Sequence, residues 1–421
     1  MRTNMKIGIL YGDEVTPRSD MRCPERGNPG VGGAQFCVGM LVRYLCEYQE
    51  ISLTVYQFGN TLFPENVQVK KIESWEETLS SDNKEDICIL THRLNVYDYD
   101  KMKESKIPIV LWVHNHLSSA AASAIADCAP IKRVVFVGRQ LYDLYVDHRI
   151  CGKSTYIFNM FKGDLNEYRR HDDYEQIVTY MGNLDPSKGF HILARQWKDI
   201  VSEVPDAQLY VIGSGKLYSR EARLGRFGLA EEHYENVFMP YLLKENGEIL
   251  DSVHFCGVLG QEKYSIFNKT AVGIINPSAL TETFGLSAVE MEACGIPIVT
   301  KADQGLLDTN IHKQTGLLFS REKNLKKLVI RLLTNKEWNK ALGEQAKKFA
   351  TTTFAPEIIV EEWFQLLNEV IEGKKAVYCP PVNFFLKQNK WLRMINRQIQ
   401  KITGKQVSLM EWKARIRNKK E

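Results

Sequence analysis

The sequence predicts an α/β protein made of two Rossmann-like, doubly wound halves. Three observations carry this. Short apolar runs of strand length alternate with segments of helical period through most of the chain. A polar, charged stretch at 163–175 interrupts the alternation near the middle. And 421 residues are too many for one ordinary domain but suit two, each burying its own core.

In the first half, 6–11 (KIGILY), 53–58, 87–91 and 109–113 (IVLWV) read as buried parallel strands, because a sheet covered on both faces needs runs that are apolar throughout. Between the first two, 34–50 sets Phe36, Met40, Leu41, Tyr44 and Leu45 on one helical face. A strand at 134–137 and a helix near 140–148 follow. In the second half, strands are expected at 177–181, 208–212, 253–255, 272–275 and 296–300. Helices are expected at 190–204, 285–294, 323–334 and 336–351. The implied domains are 1–165, 166–355, a closing helix at 356–373 and a tail at 374–421.

Composition narrows the class. The chain is 44% hydrophobic and 25% charged, within the soluble globular range. No apolar run approaches the roughly 20 residues of a bilayer span. A polar start leading directly into a strand argues against a signal peptide and for a cytoplasmic location. Nine cysteines without a C-x-x-C pair suit a reducing compartment and argue against structural zinc. The net charge of +4 conceals an asymmetry: 374–421 holds 13 Lys and Arg against 2 Glu, a net of +11, which leaves −7 elsewhere. A basic tail on an acidic body points to an anionic partner for the tail.

The segment 276–300, NPSALTETFGLSAVEMEACGIPIVT, is the richest in chemistry. A strand ends at Ile275, a loop follows, and a helix starts near Gly285 and stops at Gly295 and Pro297. The start of such a helix binds anions, through free amides and the positive end of the dipole. Glu282 stands just before the helix. Glu290 lies about 7–9 Å along it, within reach of a ribose if a diphosphate occupies the amides.

Glu282, Phe284–Gly285 and Glu290 reproduce, at its spacing, the signature of the retaining glycosyltransferases of family 4, which the chain resembles. The resemblance implies the GT-B architecture, two Rossmann-like domains facing a cleft, with the acceptor on the first half and a nucleotide-sugar donor on the second. It implies that Glu282 contacts the donor sugar near the reacting centre and Glu290 the ribose, with Phe284, Gly285 and Leu286 around the phosphates. It further implies retention of anomeric configuration, no metal ion and no cofactor beyond the nucleotide sugar.

A second segment, 180–190 (YMGNLDPSKGF), opens a helix after the first strand of the second half. Lys188 offers a point charge to a diphosphate, and Gly189 removes a side chain that would block close approach. The family carries a lysine before a glycine here, but where it usually has arginine this chain has Asn183. An amide cannot replace a guanidinium, so Lys216 or Arg220 is considered as the substitute cation. By resemblance, 254–261 (HFCGVLGQ) makes Val258 a base contact, and 315–319 (TGLLF) is the turn after the last donor-side loop.

In the first half, Gly32 and Gly33 precede a helix where family members set a double glycine toward the donor phosphates. The spacing departs from the dinucleotide fingerprint. His114 follows a strand at its carboxyl end, where open α/β sheets hold ligands, and is chosen over His116 as a catalytic residue. Asp98 and Asp100 form a D-Y-D triplet that is common by chance, so no metal is expected.

The expected function is therefore transfer of a sugar from a nucleotide-diphosphate sugar to a glycan or lipid-linked acceptor. Alternatives are a nucleotide-sugar epimerase of related fold and a non-catalytic sugar-nucleotide or glycan-binding protein. In the tail, Phe384, Phe385, Trp391, Leu392, Ile395, Ile399 and Ile402 recur at helical spacing, with Lys387, Lys390, Arg393, Arg397 and Lys401 at other positions. The pattern at 384–402 suggests an interfacial helix on an anionic membrane surface, the inner face for a cytoplasmic enzyme, against the alternative that the stripe packs on the first half. Nucleic acid fits less well, because the body is acidic and no recognition motif accompanies the tail.

Overall fold

The computed structural model describes residues 4–14, 18–93, 96–162, 169–215, 223–382 and 389–417. Two compact units make up the chain. The first comprises 1–24, 33–160 and 356–421, the second 25–32 and 161–355.

The first unit is built on seven parallel strands: β1 (Met5–Tyr11), β2 (Ile51–Gln57), β3 (Gln68–Lys71), β4 (Ile87–Thr91), β5 (Ile109–Val113), β6 (Ile131–Phe136) and β7 (Ser154–Tyr156). Their order is β3-β2-β1-β4-β5-β6-β7. The apolar runs sit at its centre, with Ile7, Ile9, Val55, Ile89, Leu111 and Val134 fully or almost fully buried. Helix α1 (Gly33–Leu45) carries the chain from β1 to β2. The chain turns back at β1, so β1 and β4 leave a divergent pair of loops at their carboxyl ends.

The second unit repeats the design with β8 (Ile177–Met181), β9 (Gln208–Ile212), β10 (Val253–Gly257), β11 (Thr270–Ile274), β12 (Ile298–Lys301) and β13 (Gly316–Phe319), ordered β10-β9-β8-β11-β12-β13 and all parallel. Helices α2 (Phe190–Glu203), α3 (Leu286–Ala293), α4 (Leu325–Thr334) and α5 (Lys336–Thr353) cover it. Neighbouring residues of β12, Ile298 and Val299, join different core clusters, as strand alternation requires. One cluster centres on Trp197 and Phe190, the other on Met291 and Phe267. The TGLLF segment is not the turn expected: Gly316–Phe319 pairs with β12 as the edge strand. Its four apolar residues are too few to separate strand from turn without the neighbouring strand. β3 and β7 escape the sequence pattern for a related reason, being short and polar.

Glu292 in α3 is fully buried, and the Thr315 side chain offsets only part of the cost of that burial. Burial pushes its pKa well above the ordinary carboxyl value. Below that ordinary value both the folded and unfolded forms are protonated, and the contribution to stability is fully present. As pH rises the unfolded chain ionises first, so stability falls, by about 1.4 kcal/mol per pH unit, until the native group also ionises. Glu292→Met is expected to be more stable at neutral pH by ~1–3 kcal/mol. Denaturant unfolding at several pH values should show a flatter profile for the variant; an unchanged slope would assign the decline to other groups.

Helix α6 (Pro356–Ile371) returns to the first unit, where Trp363 meets Trp112 edge-on at 4.8 Å. Beyond it lie α7 (Lys390–Thr403) and α8 (Leu409–Arg417). Here the expected orientation is corrected. Lys390, Arg393 and Arg397 do not flank the helix toward an external surface but turn onto their own unit. Lys390 Nζ donates to Asp143 Oδ2 at 2.9 Å and Gln140 Oε1 at 2.6 Å, with both charged side chains fully buried. Arg393 donates to Asp147 Oδ1 at 2.9 Å, and Arg397 to the Val146 carbonyl at 2.9 Å. Two buried carboxylates need partners more than a solvent-facing stripe needs cover, and this decides which face turns inward. Phe384, Phe385 and Lys387 lie outside the described residues. No described helix is long and apolar enough to cross a membrane.

Candidate active site

In the second unit the chain reverses its winding between β8 and β11, and two loops leave their carboxyl ends there. These are 182–189 and 276–285. The first makes a single 3-10 turn, Pro186–Lys188, whose cap Asp185 accepts the Ser187 amide at 2.8 Å. The buried Tyr180 hydroxyl donates to the carbonyls of Asn183 (3.3 Å) and Lys188 (3.2 Å), tying the turn to the sheet.

The second loop holds three non-glycine residues at positive φ, Asn276 (37°), Ala279 (57°) and Thr281 (57°). Each such residue costs about 1–2 kcal/mol, so the loop keeps this shape only because its partners impose it. Asn276 Nδ2 donates to the Leu280 carbonyl at 3.1 Å, and the Ser278 hydroxyl receives the Leu280 amide at 3.0 Å. The same hydroxyl donates to the Ser187 carbonyl of the first loop. Gly189, at φ 70°, lies so close that a Cβ there would sit 2.6 Å from the Ser278 amide nitrogen. The close approach at Gly189 is thus made by the second loop, not by a ligand.

This contact brings the two charged candidates together. Lys188 Nζ donates to Glu282 Oε2 at 2.8 Å, and Asn276 Nδ2 reaches the same oxygen at 3.0 Å. The pair is mostly buried, with Lys188 21% and Glu282 15% exposed at the side chain. Helix α3 follows shortly afterwards, led by Gly285 as its N-cap, whose φ of 94° suits glycine, and no side chain caps that end. Its first-turn amides point out of the helix beside the loop, the arrangement that holds phosphate oxygens. Phe284 is buried edge-on to Phe354, and Leu286 is half-buried in the first turn of α3.

Glu290, about one turn into α3, is nearly buried. Its Oε1 accepts from Lys263 Nζ at 2.7 Å and from the Tyr264 hydroxyl at 2.9 Å. Both come from the short helix Lys263–Phe267, which sequence reading missed; the segment EKYSIF after the HFCGVLGQ turn was its only signal. Asn276, the second partner of Glu282, was also missed, although it stands within the segment singled out.

Asn183 is buried and donates to Asp185 Oδ2 at 2.7 Å, so its amide serves the turn. Lys216 and Arg220 lie outside the described residues. Val258 is 49% exposed just after β10, open to stacking contact. Gly32 precedes α1 and Gly33 opens it, and among the described residues nothing approaches within 4 Å of a Cβ placed at Gly33. Internal packing therefore does not require a glycine at that position.

In the first unit His114 follows β5, its ring 4.5 Å from that of Trp112. Burial lowers its pKa to about 3, so it is a neutral imidazole at physiological pH. His92, at the end of β4 beside the winding reversal, is a further candidate that sequence reading passed over. Its Nδ1 meets the Tyr99 hydroxyl at 3.1 Å, and burial lowers its pKa to about 4. Asp98 accepts the amides of Asp100 (2.9 Å) and Lys101 (3.3 Å) as a helix cap, while Asp100 pairs with Lys103 at 2.7 Å. Among the described residues no three His, Cys, Asp or Glu side chains gather as metal ligands would.

Two all-parallel doubly wound units of this kind are the components of the GT-B fold. Residues 164–349, which contain every charged group of this site, match the family model of the glycosyl transferases group 1. An uncharacterized glycosyltransferase of Methanocaldococcus jannaschii is 30% identical over 207 residues, 49% of this chain and 51% of that protein. The chain thus spans about half the length of that relative. Among solved structures, sucrose-phosphate synthase from Thermosynechococcus elongatus superposes with a TM-score of 0.63 at 17% identity, covering 88% of this chain and 100% of the other. HepE of Anabaena, solved with UDP-glucose, gives 0.62 at 16% identity, covering 87% and 100%.

Proposed function

We propose that the chain is a glycosyltransferase that moves a sugar from a nucleotide-diphosphate sugar to a hydroxyl of a glycan or lipid-linked acceptor. The product keeps the donor's anomeric configuration, and no metal ion or cofactor takes part. One observation carries the reading: Lys188 and Glu282 meet at 2.8 Å where β8 and β11 diverge, beside the uncapped start of α3.

In the reaction the bond from the anomeric carbon to the phosphate oxygen breaks, and its electron pair leaves with the diphosphate. The acceptor oxygen bonds to that carbon, and its proton passes to the departing phosphate. Negative charge grows on the phosphates, where Lys188 and the α3 amides oppose it as preorganised electrostatics. Positive charge grows on the sugar ring, which the Glu282 carboxylate faces. The Lys188–Glu282 pair holds both groups in place until the diphosphate takes over the ammonium. Glu290, fixed by Lys263 and Tyr264, accepts from the ribose hydroxyls, and Val258 lies against the base. In the first unit, neutral His114 serves the acceptor as a hydrogen-bonding group. Because HepE was solved with UDP-glucose, uridine diphosphate sugars are the first donors to try.

The test is transfer to a panel of glycan and lipid-linked acceptors in the presence of EDTA, with proton NMR of the new linkage. Retained configuration and undiminished rate in chelator are expected. An inverted linkage, or activity lost in EDTA and restored by manganese, would overturn the mechanism. Isomerised donor without transfer would favour the epimerase.

A further inference from the structure

A helix on a protein surface ordinarily turns its apolar stripe inward and its charges to water. α7 does the reverse. Lys390, Arg393, Asn396, Arg397 and Gln400 bind the first unit, the last through the Asp147 carbonyl at 2.8 Å. The opposite face carries Trp391 (52% exposed), Ile395 (50%), Ile399 (50%) and Ile402 (85%). α8 adds Trp412 (57%) and Ile416 (38%). Eight of the sixteen exposed large apolar side chains among the described residues lie in 374–417, a small fraction of the chain. The stripe is therefore concentrated, and it is held outward by hydrogen bonds on its other side.

The charges around it say what covers it. Lys401, Lys405, Lys413 and Arg415 are exposed on the same two helices and the turn between them. Glu411, the acidic residue of α8, is turned to the Ser408 amide at 2.7 Å and to His148 at 3.7 Å. A second copy of this chain on the stripe would bring the exposed Lys401, Lys405, Lys413 and Arg415 of two tails together, and their repulsion opposes pairing. An anionic bilayer instead accepts Trp and Ile at its headgroup boundary and lysines at its surface.

We propose that the polar clamp on Asp143 and Asp147 presents the outer face of α7 and α8 as a preformed docking surface for an anionic lipid membrane. The first unit would then be carried at the bilayer surface, and a lipid-linked acceptor would meet the enzyme there. Docking does not depend on sugar transfer, so the two readings stand or fall separately.

The full chain is mixed with vesicles of phosphatidylcholine alone or with phosphatidylglycerol added, and bound protein is measured by co-sedimentation. Wild type is expected to bind phosphatidylglycerol vesicles at least tenfold more strongly than neutral ones, and more weakly at high salt. Ile395→Glu with Ile399→Glu should lower that binding at least tenfold without moving Tm, since both side chains are half exposed already. No binding by wild type, or equal binding by the double variant, would overturn the proposal. So would a wild-type dimer in light scattering that the double variant converts to monomer, because that would make a second copy the occupant.

Discussion

Glu282→Ala is expected to lower kcat by about 100–1000-fold, with a smaller change in donor KM, while Lys188→Ala weakens both. A thousandfold loss corresponds to about 4 kcal/mol, within the range for removing one preorganised group that opposes developing charge. The split follows from where the proposed mechanism puts each charge. In that mechanism Lys188 meets a diphosphate already charged in the ground state, so it would contribute to binding and to departure. Glu282 would face a sugar that becomes positive only as the bond breaks, so its effect would be concentrated in kcat. Because the two are hydrogen-bonded at 2.8 Å, the double variant should lose less than the sum of the single losses. Steady-state kinetics of the three variants would check this. Wild-type kinetics for Lys188→Ala would remove the diphosphate role, and strict additivity would mean the pair does not act as a unit.

Lys390→Met is expected to destabilise the protein by about 3–5 kcal/mol, because it leaves the fully buried Asp143 with only the more distant Arg139, at 3.6 Å, as a counter-charge. Burial already pushes the Asp143 carboxyl upward against the pull of Lys390. Without the ammonium the shift grows, so the loss should shrink at low pH, where a neutral Asp143 carries no unpaired charge. Adding Asp143→Leu should recover most of the stability, since a buried pair exchanged for apolar groups is often neutral. Denaturant unfolding of the single and double variants is the measurement. A single variant within 1 kcal/mol of wild type would show the pair to be dispensable.

Much of the fold was readable because it rests on local pattern. Strands such as Ile109–Val113 are apolar throughout, and α1 has an unbroken helical face, so length and period identify them. The candidate motif at 276–300 was readable because a strand, a loop with glutamate and a glycine-led helix are contiguous in the chain. The partners of its residues were not. Lys188 and Glu282 are 94 positions apart, and Tyr264 and Glu290 are 26 apart. Nothing local links them, and the order β8-β11 in the sheet is what brings the first pair together. Gly189 shows the same limit: its glycine is legible, but what approaches it is the Ser278 backbone from another loop.

Sequence alone determined the two α/β halves, the residue types at the candidate site and the amphipathic character of α7, since all are properties of short stretches. Tertiary structure decided that Lys188 and Glu282 form one unit, that Asp98 caps a helix, and which face of α7 points inward. Helical period is the same whichever face is buried. The choice was made by Asp143 and Asp147, each more than 240 positions away from its partner, because a buried carboxylate is more costly to leave unpaired than an apolar stripe is to leave in water.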